Sequence, residues 1–211
     1  MSNSSLVSYT KISPNSSERT KPISKITIHH AAVVNASLEG MGNHFAQTST
    51  QASSNYAIDS NGKVALYVDE SRRAWTSSNR ENDNVAVTIE VANSKGEPNW
   101  EVSAKASATL IELCVDICKR NNIKELNYTG NANGNLTRHN MFAATGCPGA
   151  YLQSKFPEIA AEVNKRLKAG SAQEKKTLYK VQVGAFANKD NAENLLKKLQ
   201  KEGYSAFIKQ E

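Results

Sequence analysis

Residues Ile23 to His30 (ISKITIHH) alternate apolar and polar positions, the period of a strand with one buried face, and the run ends on two histidines. Asn35 to Thr48 reads as a helix, with Asn35 or Ser37 near its cap. Ser54 to Ile58 and Val64 to Val68 flank Asp59-Ser60-Asn61-Gly62, so an Asn-Gly turn joins two runs into a hairpin. Asn84 to Ala92 (NVAVTIEVA) is β-branched and mostly apolar, which predicts a central strand with a glutamate inside it. Ser103 to Asn121 carries Ala106, Leu110, Leu113 and Ile117 at helical spacing, with Ser103 placed to cap it. Residues 127–137, rich in Asn and Gly, read as a loop, and Phe156-Pro157 opens a further helix to about Lys168. Beyond a polar linker come a strand (Tyr179 to Ala185), a helix (Asp190 to Glu202) and a strand (Ser205 to Lys209).

Strands alternating with helices predict an α/β fold, a central mixed β-sheet flanked by helices, with a small C-terminal βαβ unit. The expected organisation is a lead-in over 1–22, a main domain over 23–168, a linker over 169–177 and a tail over 178–211. A main domain of that size buries a substantial core without disulfide staples.

Composition narrows the function classes. The net charge of +6 points to acidic partners, nucleic acid or an anionic wall polymer. The tail carries a disproportionate share: residues 172–211 hold 8 Lys+Arg against 5 Asp+Glu. Aromatic residues are not interleaved with the Lys and Arg, and no reading motif occurs, which argues against nucleic acid. No run approaches the length of a membrane span, so no membrane partner is expected. The Ser- and Asn-rich first 20 residues lack an apolar signal region, and three cysteines make no disulfide framework. The expectation is synthesis in the cytoplasm with reduced thiols.

Candidate metal ligands are His29, at the end of a strand, and His139 and Cys147, eight residues apart in RHNMFAATGCPG. Imidazole and thiolate are good zinc donors, and three protein ligands with one open position make a catalytic zinc site that polarises a carbonyl and activates water. Taken singly, a strand histidine is more often structural, and a buried cysteine is usually inert. Cys114 and Cys118, four apart on the long helix, lack a local histidine and read as packing.

In order, IxIHH, SSNYAIDSNGKV, VTIEVAN and RHNMFAATGCPG resemble the type 2 N-acetylmuramoyl-L-alanine amidase family, in its clostridial phage and autolysin branch, over residues 23–168. The resemblance implies zinc-dependent hydrolysis of the amide between N-acetylmuramic acid and L-alanine in bacterial peptidoglycan. It implies His29, His139 and Cys147 as zinc ligands, with His30 a neighbour because adjacent strand residues face opposite ways. It also implies catalytic roles for Tyr56 beside the zinc, Glu90 as general base and Thr145 as a carbonyl contact. Tyr56 could equally pack on the sheet, and Glu90 could lie on a solvent face with Thr88. Trp75 could line a groove or pack, and Thr76 departs from the His or Cys that relatives carry. The competing function is a non-catalytic peptidoglycan-binding module.

LYKVQVGAFANKDNAENLLKKLQKEGYSAFIKQE resembles the first half of a SPOR domain, a module that binds peptidoglycan glycan strands. A half-length unit exposes an edge and an apolar face, so two chains pairing their tails is an expected homodimer. The resemblance also implies an endolysin or autolysin that reaches the wall by holin-mediated or lytic release.

Overall fold

The computed structural model describes residues 2–173 and 181–209. The chain divides into two compact units, Met1–Gln173 and Glu174–Glu211. The first contains strands β1 (Val7–Thr10), β2 (Ser16–Glu18) and β3 (Lys25–Val34), helix α1 (Leu38–Phe45), strands β4 (Tyr56–Ile58), β5 (Val64–Leu66) and β6 (Arg72–Ala74), helix α2 (Arg80–Val85), strand β7 (Ala86–Asn93), helix α3 (Ala104–Arg120), strand β8 (Leu136–Arg138) and helix α4 (Ala150–Gln173). The second contains helix α5 (Lys189–Lys201).

Six strands form one sheet in the order β1-β5-β4-β7-β3-β8. The β3–β7, β3–β8, β4–β7 and β1–β5 pairs are parallel, and the β4–β5 hairpin is antiparallel. The sheet is therefore mixed and mostly parallel. Alternation along β3 and β7 divides their residues between two faces. Ile26, Ile28, Val87, Ile89 and Val91 belong to a core with Leu110, Leu113 and Ile117 of α3 and Leu152 and Phe156 of α4. Fully burying each such side chain is worth about 1.5–3 kcal/mol. Ala57, Ala65 and Tyr67 belong to a smaller cluster with Leu38, Met41 and Phe45 of α1, so helices pack on both sides.

Local chemistry explains the element ends. The Ser103 hydroxyl accepts from the Ala106 amide at 3.0 Å and caps α3, whose last turn carries Lys119 and Arg120. In the hairpin, one Asp59 carboxylate oxygen accepts from the amides of Asn61 (2.9 Å) and Lys63 (2.8 Å). Gly62 takes φ +82°, and a Cβ there would lie 2.7 Å from Thr109 Oγ1.

Several elements differ from the sequence reading. The supposed lead-in holds β1 and β2, and β1 adds to the sheet edge beside β5. Val7 and Tyr9 alternate with polar residues over only four positions, too short a run to stand out. The loop ends in β8, whose three residues gain their ladder from β3. Helix α4 starts at Ala150, upstream of the position read from Phe156-Pro157, and keeps Pro157 inside it. An interior proline costs about 3 kcal/mol, and here Leu152, Phe156, Ile159 and Val163 are buried along the same helix and offset it. Residues 169–173 of the expected linker continue α4, and 174–177 lie outside the described residues.

In the second unit, Asn188 caps α5 by accepting from the Asp190 amide at 2.8 Å. The strands expected over 179–185 and 205–209 are not paired as strands: 181–185 and 205–209 are unpaired chain, and 179–180 lie outside the described residues. A strand needs a ladder partner, and within this unit the described residues supply none. No helix among the described residues is long and apolar enough to cross a membrane.

Candidate functional site

Register brings the site together. His29 on β3 lies opposite Glu90 on β7, and Glu90 lies opposite Ala57 on β4. Ile28 pairs with Arg138 on β8, which sets His139, one residue on, beside His29. The two imidazole rings are 4.6 Å apart between centroids. Cys147 arrives from the turn before α4, with its Sγ 3.7 Å from His29 Nδ1. Ligand atoms of His29, His139 and Cys147 all lie within 4.8 Å of one another. His30, facing the other way, is outside this cluster, but its backbone N–H donates to Cys147 Sγ at 3.4 Å.

The donor set suits a zinc ion. Tetrahedral bonds of about 2.0–2.3 Å separate N and S ligands by about 3.5 Å, close to the 3.7 Å between Cys147 Sγ and His29 Nδ1. The Nε2 atoms of His29 and His139 and Oε2 of Glu90 are buried without a hydrogen-bond partner. Burial, then repulsion from His139 and His30, holds the His29 imidazole well below its usual pKa, so it stays neutral and able to ligate. Burial, then the nearby Glu90, pushes the Cys147 thiol up, while the His30 amide opposes this. These shifts belong to the cluster without a cation, and a bound dication reverses them for the thiol.

Glu90 Oε1 sits 4.0 Å from His29 Nδ1, and burial raises its carboxyl to about 8. Thr145 is exposed, and its hydroxyl accepts from the Cys147 amide at 3.2 Å. Glu90, His139, Thr145 and Cys147 share a cleft of about 720 Å³ with His30, Glu97 and Trp100.

Tyr56 is not in this cleft, which corrects the role expected for it. It lies opposite Ile89, one residue out of step with Glu90, and so on the face packed by α3 and α4. Its hydroxyl donates to Glu70 Oε1 at 2.7 Å and accepts from the Ser4 amide at 2.9 Å. Glu70, fully buried, is held by Arg120 through bonds of 2.8 and 2.6 Å. Trp75 also packs elsewhere, its indole N–H donating to Ser17 Oγ at 3.2 Å. The Thr76 hydroxyl donates to the Ser53 carbonyl at 2.6 Å. Cys114 and Cys118 are buried in the core.

Trp100 and Glu97 are cleft residues that sequence reasoning did not single out, and His30, read as a neighbour of the ligands, lines the cleft with them. Trp100 meets the His30 ring edge-on at 5.4 Å. Its amide donates to the Gly96 carbonyl at 3.0 Å, and its carbonyl accepts from Asn93 Nδ2 at 2.8 Å. A Cβ on Gly149 would lie 2.9 Å from Trp100 Cβ, so the turn carrying Cys147 approaches this loop as only glycine allows. The available signal was position: ligands of parallel sheets gather where loops leave the carboxyl ends of strands, and the loop carrying Glu97 and Trp100 follows β7.

Residues 19–150 match the model of the family described as N-acetylmuramoyl-L-alanine amidase, and residues 160–211 match the SPOR domain model. No curated protein matches the chain. Among solved structures, the amidase LysC from Clostridium intestinale URNW is 23% identical, with a TM-score of 0.57 over 75% of this chain and 95% of its own. A mutant endolysin from Bacillus subtilis is 18% identical, with a TM-score of 0.57 over 74% and 97%. The Staphylococcus aureus hydrolase AmiA, solved with its ligand, is 10% identical, with a TM-score of 0.62 over 78% and 85%. These likenesses show the same fold.

Proposed function

Because this chain belongs to the N-acetylmuramoyl-L-alanine amidase family, we propose that it hydrolyses the amide between N-acetylmuramic acid and L-alanine in bacterial peptidoglycan, with zinc held by His29, His139 and Cys147. The observation that carries the reading is the convergence of two imidazoles and a thiol from β3, the end of β8 and the turn before α4. Bound zinc supplies Lewis acidity toward the scissile carbonyl and toward water.

The protein's own groups do the rest. The His30 backbone N–H supports the Cys147 thiolate, a charge-assisted bond. Glu90, in reach of the cluster, takes a proton from the attacking water as general base. It then delivers that proton to the departing L-alanine nitrogen as the C–N bond breaks, leaving a muramoyl carboxylate and a free amine. In the metal-free fold burial raises this carboxyl, and a dication held beside it favours the carboxylate that a general base needs. The exposed Thr145 hydroxyl donates to the substrate carbonyl.

The SPOR match over residues 160–211 supports a wall-binding role for the second unit, and the excess of lysine favours an anionic wall. Pairing of two tails is the further reading there. Val181, Val183 and Phe207 are exposed, and sedimentation of the full chain beside Leu195→Glu checks it. Lytic release to the wall accords with the amidase reading. Digestion of purified peptidoglycan tests the whole: the account expects new L-alanine amino groups without new reducing sugar ends. Reducing ends alone would mean a glycosidase.

A further inference from the structure

The charge of the cleft runs against the charge of the chain. The protein carries net +6, yet the cleft lining includes two acidic residues, Glu90 and Glu97, and no lysine or arginine among the described residues. The nearest lysine in sequence, Lys95, pairs with Glu101 at 2.8 Å. On the amidase reading, on which this inference rests, Glu90 is committed to the reaction, which leaves Glu97 as the cleft carboxylate with no part in it.

Glu97 is exposed, but its backbone is fixed from both sides. The Gly96 carbonyl accepts from the Trp100 amide at 3.0 Å, and the Asn99 carbonyl accepts from the Tyr151 amide of α4 at 3.0 Å. These bonds hold the loop that brings Glu97 into the lining of the same cleft as Cys147 and Thr145.

In the substrate, the residue after L-alanine is D-glutamate, joined onward through its γ-carboxyl. Its α-carboxyl is a free carboxylate in some walls and a carboxamide in others. A free carboxylate entering beside Glu97 meets a like charge and no lysine or arginine among the described lining residues, whereas a carboxamide meets no repulsion. We propose that Glu97 makes the cleft select stem peptides whose second residue carries a carboxamide in place of a free carboxylate.

The test compares two muramyl dipeptides, N-acetylmuramoyl-L-alanyl-D-isoglutamine and N-acetylmuramoyl-L-alanyl-D-glutamate, which differ only in that group. Because an exposed charge is screened by water, kcat/KM should favour the carboxamide by about threefold to fivefold at low ionic strength, narrowing as salt is added. Glu97→Gln should bring the ratio close to one, and Glu97→Lys should reverse it. Equal turnover by the unmodified protein, or a preference unchanged in Glu97→Gln, overturns the inference. Calorimetric binding of the same pair needs no turnover. Protein that binds them in the expected ratio but cleaves neither would sink the amidase reading and leave the charge selection standing. Equal binding would sink the selection.

Discussion

The two faces of the central sheet are built from alternate residues of the same strands, yet they have opposite chemistry. Ile28, Ile89 and Tyr56 point toward α3 and α4, while His29, Glu90 and Ala57 occupy the next register positions and face the other way. Both sets are buried or nearly so, so burial alone does not distinguish them. The difference lies in partners. On the face packed by α3 and α4, the Tyr56 hydroxyl is satisfied by Glu70 and the Ser4 amide. On the other face, His29, His139 and Glu90 keep atoms without a protein partner. Natural interiors rarely leave such groups unpaired, and a site awaiting a cation and a substrate is one reason to do so.

The largest expected effect comes from cutting the cluster. Cys147→Ser should lose bound zinc and drop wall digestion to background while the far-ultraviolet circular dichroism stays unchanged. An active Cys147→Ser enzyme would remove the thiol from the chemistry. Cys118→Ala, a buried thiol on the packed face, should retain zinc and activity and lose only stability, by about 1–2 kcal/mol.

Glu90→Gln comes next. It keeps the shape of the side chain and removes its basicity, so turnover should fall by about 10²–10⁴ with zinc retained. A loss below about threefold would make Glu90 a structural group. Tyr56→Phe sharpens the contrast from the other face. It should change turnover by less than about threefold and lower stability by about 1–3 kcal/mol, because buried Glu70 loses a donor. Denaturant unfolding beside the activity assay separates the two, and a large loss of turnover at full stability would return Tyr56 to the site.

The smallest effect is a pH dependence in metal-free protein. The Glu90 carboxyl is raised in the fold, so its stabilising contribution is complete below its unfolded pKa of about 4.5 and is lost as pH rises through about 8. Chelator-treated Glu90→Gln should therefore melt a few degrees above the chelator-treated parent at pH 8.5 and close to it at pH 5. Equal melting temperatures at both would show that burial does not govern this carboxyl.

Much of this contrast was legible in the chain. The alternation in ISKITIHH and NVAVTIEVA marks β3 and β7, and the Cys-Pro-Gly turn and the histidine eight residues before it mark two cluster members. Helix α3, with its Ser103 cap, and the Asn-Gly hairpin were equally plain because each is set by local chemistry. What was hidden depends on pairing across the chain. Strands β1 and β8 exist because β5 and β3 offer them ladders, and their three or four residues are too few for a periodicity to stand out. Tyr56 was misplaced because resemblance gave its position but not the face it shares with Ile89. Trp100 and Glu97 lay in a loop whose meaning comes only from where it folds back, onto Gly149 and the turn of Cys147.

The central claim is that the cluster of His29, His139 and Cys147 holds the zinc on which hydrolysis depends. Its most direct test is to strip the full chain with a chelator, return zinc in measured increments, and follow release of L-alanine amino groups from purified peptidoglycan. The account predicts no release from the stripped protein, then activity rising in proportion to bound metal and levelling at about one equivalent per chain. Undiminished release from protein shown to contain no metal would contradict it.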